Sequence, residues 1–125
     1  MAKNLTTEKD FNLFKKESMR WVGIFGLINW EIIFKNDTVE YNLADCTTIQ
    51  SAKISTISLQ KDWSDCDQKK DAYNIRKTAF HEVCELLLSK FNALAHDRHC
   101  RAEEIEEERH NIIKVLENVL FDGSQ

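Results

Sequence analysis

Little in this sequence points to a membrane, a nucleic acid or an export route. Its longest apolar stretch, Trp21 to Ile28, is far shorter than the roughly 20 residues that cross a bilayer. Basic residues are not in excess. The net charge is −4, and non-specific nucleic-acid binding needs a basic surface. Neither a membrane nor a nucleic acid is therefore expected as a partner. Glycine is scarce at three residues, and no Gly-rich phosphate loop can be found. There is no repeat, no low-complexity tract and no Ser-His-Asp arrangement. The four cysteines, Cys46, Cys66, Cys84 and Cys100, show no C-x-x-C spacing. Met1 to Asp10 is polar with no apolar run behind it, which reads as the absence of a signal peptide. Reduced thiols and a cytoplasmic location are the expectation.

What is present is ordinary globular material. At 125 residues, 42% hydrophobic and 30% charged, the chain reads as one domain, 1–125, with a single core. Thr7, with Asp10 three residues on, has the form of a helix start. Phe11, Phe14, Ser18, Trp21, Val22 and Phe25 recur at helical spacing, and Gly26 suits a stop. A first helix over about 8–25 follows. Asn29 to Lys35 reads as a strand, and Asn36-Asp37 as a turn. Val39, Tyr41 and Leu43 alternate like a second, half-buried strand. Ala52, Ile54, Thr56 or Ile57, and Leu59 mark a third, with Lys53 and Ser55 outward. A polar connection, 61–71, holds one large anchor, Trp63, which is assigned to packing. A second helix runs from about Tyr73 to Ala95, a polar link follows, and a third helix spans about Ala102 to Phe121. Segregated strand and helix patterns make this an α+β domain.

The second helix carries the chemistry. Its expected apolar stripe is Ala79, Phe80, Val83, Cys84, Leu87, Phe91 and Leu94. Off that stripe lie His81 and Glu85, one turn apart on one face. An imidazole and a carboxylate at this spacing can hold one metal ion, and Glu82 beside them can take a proton from metal-bound water. The zinc-peptidase pattern is His-Glu-x-x-His; here position 85 is Glu. The plain structural reading of the same pair is a solvated i, i+4 contact contributing a few tenths of a kcal/mol. Cys84 falls near the stripe and reads as a small core residue.

The third helix opens with Glu103, Glu104, Glu106, Glu107 and Glu108, favourable near a helix N-terminus. Its stripe reads as Ile105, Ile112, Ile113, Leu116, Val119 and Leu120. If this helix packs antiparallel on the second, as the short link favours, His110 or Glu106 can supply a third ligand. His96, His99 and Cys100 form a second cluster on the link; no fourth donor is near it, and local solvation is the expected state.

Thr78-Ala79-Phe80-His81-Glu82-Val83-Cys84-Glu85-Leu86-Leu87, followed by Glu108-Arg109-His110-Asn111-Ile112-Ile113-x-x-Leu116-Glu117-Asn118, resembles the small phage-encoded metallopeptidases. The Trp30-Glu31-Ile32 and Ala52-x-Ile54 segments are similar to the same pattern, over roughly residues 20–121. The resemblance implies a minimal zincin-like fold: an N-terminal helix, a three-stranded sheet, then two packed helices bearing the motif. It implies His81, Glu85 and His110 as metal ligands, Glu82 as the base, Zn2+ or another divalent metal as cofactor, and a protein or peptide substrate, a host protein among the candidates, in the host cytoplasm. A carboxylate at position 85 makes bound water less acidic and relaxes the preference for zinc. The alternative is a catalytically inactive zincin-like phage protein serving as a binding module for a host or phage protein.

Overall fold

The computed structural model describes residues 4–124. Residues 1–3, part of the polar opening read against an export signal, lie outside the described residues. The chain forms α1 (Glu8–Ile24), β1 (Glu31–Asp37), β2 (Ala44–Ile49), β3 (Ile54–Gln60), α2 (Ala72–His96) and α3 (Ala102–Leu116). A π-helical turn, Glu117–Phe121, and a 3-10 turn, Asp122–Ser124, continue α3. This is an α+β fold with three helices and a small mixed sheet.

The bounds of α1 follow from local chemistry. Thr7 and Asp10 form a capping box: the Asp10 N–H donates to Thr7 Oγ1 at 3.1 Å, and the Thr7 N–H donates to Asp10 Oδ2 at 2.9 Å. Two N–H groups left without helical partners are thereby satisfied. At the other end Gly26 takes φ +72°. The Leu27 N–H then reaches the Val22 carbonyl at 2.9 Å, and the Gly26 N–H the Gly23 carbonyl at 3.2 Å, the hydrogen-bond pair of a Schellman ending. Apart from its chain neighbours, no atom of the described residues lies within 4 Å of a Cβ built on Gly26, so backbone strain is what opposes a side chain. Gly26→Ala is expected to cost about 1 kcal/mol and Gly26→Asn less, read by urea denaturation. Equal stability of the alanine variant would remove the left-handed stop from this account.

The sheet differs from the sequence reading in where its second strand lies and in which residues of the third face inward. β3 is central, parallel to β1 and antiparallel to β2, in the order β1-β3-β2. The expected second strand at Val39, Tyr41 and Leu43 is a loop, and pairing begins at Ala44. Tyr41 has φ 66°, Val39 is buried and Leu43 packs against the core, so the alternation there reflects a loop with two anchored side chains. In β3 the inward residues are Ser55, Ile57 and Leu59, each fully buried; Ser55 was expected outward. Ser55 is tolerated inside because its hydroxyl donates to the Thr47 carbonyl at 3.0 Å, as a buried polar group requires.

Two apolar clusters hold the layers. Phe14, Ala44, Ile57, Leu59, Trp63, Ile75 and Ala79 join α1, the sheet and α2. Val22, Phe25 and Val83, with Cys84, Leu87, Val115 and Val119 around them, join α1, α2 and α3. The stripe expected for α2 is rotated. Its buried residues are Ile75, Thr78, Ala79, Glu82, Val83 and Leu86, while Phe80 is partly exposed. The reason is that α2 packs against α1, β2 and α3 at once, so no single apolar arc describes it. Buried Glu17 ties α1 to α2: it accepts from Trp21 Nε1 at 2.8 Å and pairs with Arg20 at 3.2 Å and Arg76 at 3.3 Å. No helix among the described residues is long and apolar enough to cross a membrane.

Candidate functional site

α2 starts at Asp71, whose side chain accepts from the Asn74 N–H at 2.8 Å. That cap sets the helical phase of everything after it. Thr78, His81, Glu82 and Glu85 then fall on the arc facing the edge strand β2. Together with Tyr41 to Cys46, Gln68 and Lys77 they line a cavity of about 430 Å³. A second cavity of about 470 Å³ meets it at Cys46 and Glu85 and continues past Thr48, Leu88 and Asn92. Where the two run on, Gln50 Nε2 donates to Ser89 Oγ at 2.7 Å across the gap between sheet and helix. The two cavities form one trough along the flank of α2.

His81 and Glu85 meet as their spacing requires, His81 Nε2 lying 3.6 Å from Glu85 Oε1. Both are largely exposed, so this contact adds little to stability. Glu82 differs. It is 5% exposed, and its Oε2 is buried without a hydrogen-bond partner among the described residues. Burial first, then the carboxylates of Glu85 and Asp45, push its carboxyl up to about 7. Isolated in this way, a carboxylate is expensive to keep charged and well placed to exchange a proton near neutrality. Cys46 lines both cavities, but burial pushes its thiol up to about 11 despite the hydrogen bond with Ser55. Without a metal beside it the thiol is held in its neutral, weakly nucleophilic form at physiological pH.

α2 and α3 do pack antiparallel: Lys90 pairs with Glu108 at 3.6 Å, and Leu94 shares a small cavity with Glu104, Glu107 and Glu108. That packing does not bring His110 to His81. Glu108, Ile112 and Val115 face the cavity beside Leu87 and Lys90. Successive helical residues turn by about 100°, so His110, two after Glu108 and two before Ile112, points the other way and is exposed. Glu106 is likewise exposed. On α2, His81 precedes Lys90 by nine residues, about half a turn round the helix, and faces β2 instead. The expected stripe of α3 was centred too far toward Ile113, Leu116 and Leu120, which are 44%, 40% and 66% exposed. Centred on Ile112, Val115 and Val119, the wheel puts His110 outside.

No three His, Cys, Asp or Glu side chains among the described residues are placed to hold one ion. The fit of a metal is thus partial: two donors converge beside a buried carboxylate, where a catalytic zinc takes three protein ligands. In the α2–α3 link, the His96 ring nitrogen Nδ1 bonds the Asn92 carbonyl at 2.8 Å and the Cys100 thiol donates to the Arg101 carbonyl at 3.4 Å, a locally bonded turn. Sequence reasoning missed Asp45 and Tyr41 in the trough: Asp45 stands in no motif, and the alternation of Tyr41 with Val39 and Leu43 reads as a strand. No family model matches this chain, and comparison with curated proteins and solved structures finds no match.

Proposed function

We propose that the trough between α2 and β2 is a hydrolytic site of the zincin kind, like that of the small phage-encoded metallopeptidases, acting on a peptide bond of a host or phage protein. The observation that carries this is Glu82: buried, with an oxygen no group in the described chain satisfies, in the wall of the cavity that His81 and Glu85 also line. His81 and Glu85 are the donors this chain offers to a divalent ion, zinc first. When bound, such an ion polarises a carbonyl and makes water a nucleophile near neutral pH. Glu82 accepts the proton from the attacking water and passes it to the leaving amine. Its buried setting suits both halves of that exchange.

A second reading is favoured by the donor count. With two side chains in place of three, the same trough serves as a zincin-like binding module that holds a host or phage protein without cutting it.

Elemental analysis of protein purified without an affinity tag, together with casein cleavage with and without a chelator, separates the two. Under the hydrolytic reading the native protein holds stoichiometric metal and cleaves casein. Glu82→Gln keeps the metal and loses turnover, because an amide cannot accept the proton. His81→Ala loses both, and Glu85→His tightens zinc. Cleavage that persists in Glu82→Gln, or after complete metal removal, defeats the mechanism. Protein that holds no metal and cuts nothing leaves the binding module.

A further inference from the structure

The trough is strongly one-sided in charge. Asp45 enters it from β2, Glu82 and Glu85 enter from α2, and Lys77 is the only lysine or arginine among the described residues lining that cavity. Among the described residues no ion pair reaches Asp45 or Glu82. Glu82, more than nine-tenths buried, lines this space, and no hydrogen-bond partner among the described residues meets its closed-off Oε2. The cavity wall therefore carries a carboxyl oxygen without a partner among the described residues, which is costly for a buried polar group.

Over the same end stands Tyr41. It is 99% exposed, lines the trough and also the neighbouring cavity bounded by the 61–68 connection, and sits at φ 66°. A bulky residue in the left-handed region is strained, and an aromatic ring standing fully in water gains nothing from burial. The chain holds Tyr where Gly or Asn would be more stable, beside an acidic cavity.

We propose that this end of the trough binds the arginine side chain of an extended peptide, the guanidinium lying between the Asp45 carboxylate and the Tyr41 ring and within reach of Glu82. Guanidinium is the cation whose chemistry matches the lining. It offers five N–H donors in a planar fork, pairs with carboxylates and stacks on aromatic faces. The inference deepens the function proposed above by naming its substrate class; it rests on the trough as the peptide site and not on hydrolysis.

The test is fluorescence anisotropy in EDTA, so that metal plays no part. The probes are a short fluorescein-labelled Ala/Ser peptide carrying one arginine and its counterparts with norleucine or lysine there. The arginine peptide is expected to bind about tenfold or more tightly than the norleucine peptide. Asp45→Asn and Tyr41→Ala should each close most of that gap, and Tyr41→Phe should keep it. Tyr41→Gly should close it while raising the melting temperature, a combination that a purely structural tyrosine would not give. Equal binding of arginine and norleucine peptides, or a gap that survives both Asp45→Asn and Tyr41→Ala, overturns the proposal. Lysine binding as well as arginine overturns the guanidinium assignment. Casein cleaved with no arginine gap leaves hydrolysis standing and this inference fallen. An arginine gap in protein that never cleaves casein does the reverse.

Discussion

Metal-free Glu82→Gln protein is expected to be more stable than the native chain by about 3 kcal/mol at pH 8 and nearly equal to it at pH 4. The carboxyl of Glu82 is raised from 4.5 to about 7, by burial first and then by Glu85 and Asp45. Between those two values the folded protein binds more protons than the unfolded chain. Stability therefore falls as pH rises across the window. Below about 4.5 the folded and unfolded carboxyls are both protonated and the contribution is fully present; above about 7 both are ionised and it is gone. Each unit of difference corresponds to about 1.4 kcal/mol. With Glu82 only 5% exposed, little of this is screened by solvent. Glutamine mimics the protonated acid at every pH, so its curve lacks this fall. For a domain whose whole stability is about 5–15 kcal/mol, the difference is large. Urea denaturation in EDTA at several pH values measures it. Native and variant curves that run parallel from pH 4 to pH 8 would show that Glu82 is solvated in the folded protein, and the special status given to it in the trough would go with them.

That gain explains why the residue points to function. A buried acid that weakens its own fold at neutral pH is a poor structural choice, and local departures from stability concentrate at working sites. The sequence showed Glu82 as the second residue of a motif but not its burial. On the helical wheel it lies beside the polar arc of His81 and Glu85. Only the edge strand β2, which closes over that arc, turns a surface carboxylate into an interior one. The same limit governs the other differences. Helix bounds were legible where short-range chemistry sets them, as at Thr7, Asp10 and Gly26. Strands β1 and β3 were legible from aromatic and β-branched runs, whereas β2 was not, because the alternation at Val39, Tyr41 and Leu43 belongs to the loop before it. The parallel pairing of β1 with β3 was not, because it depends on which neighbour β3 finds across a long loop. Nor was the direction of His110, since Ile113, Leu116 and Leu120 look like core on a wheel and are solvent-facing in the fold. Glu17, buried under Arg20, Trp21 and Arg76, was hidden for a related reason: one of these three partners, Arg76, comes from another helix.

Trp63→Ala is expected to cost about 4 kcal/mol, close to the largest single loss a core truncation gives. Trp63 is 1% exposed and packs with Phe14, Ile57, Leu59, Ile75 and Ala79, so its removal opens a cavity bounded by α1, β3 and α2 together. None of these elements can collapse into the space without breaking its register with the others. The backbone around it is also tied: the Trp63 N–H donates to the Asn4 carbonyl at 2.9 Å, the Cys66 N–H to the Trp63 carbonyl at 3.2 Å, and Leu5 bridges Asp62. One feature works against the tryptophan. Its indole Nε1 is buried without a partner among the described residues, at a cost of about 1–3 kcal/mol. Trp63→Phe removes that donor while keeping a ring in the space, so its net cost is expected to be about 1 kcal/mol or less. The two variants together separate packing from the orphaned N–H, with urea midpoints and slopes as the measurement. An alanine variant within about 1 kcal/mol of native would mean the cluster closes without it. A phenylalanine variant as damaged as alanine would mean the indole N–H is bonded in solution. The 61–71 connection that Trp63 anchors also carries Gln68 into the trough wall, so the alanine variant should weaken the arginine-peptide binding described above even where the protein remains folded.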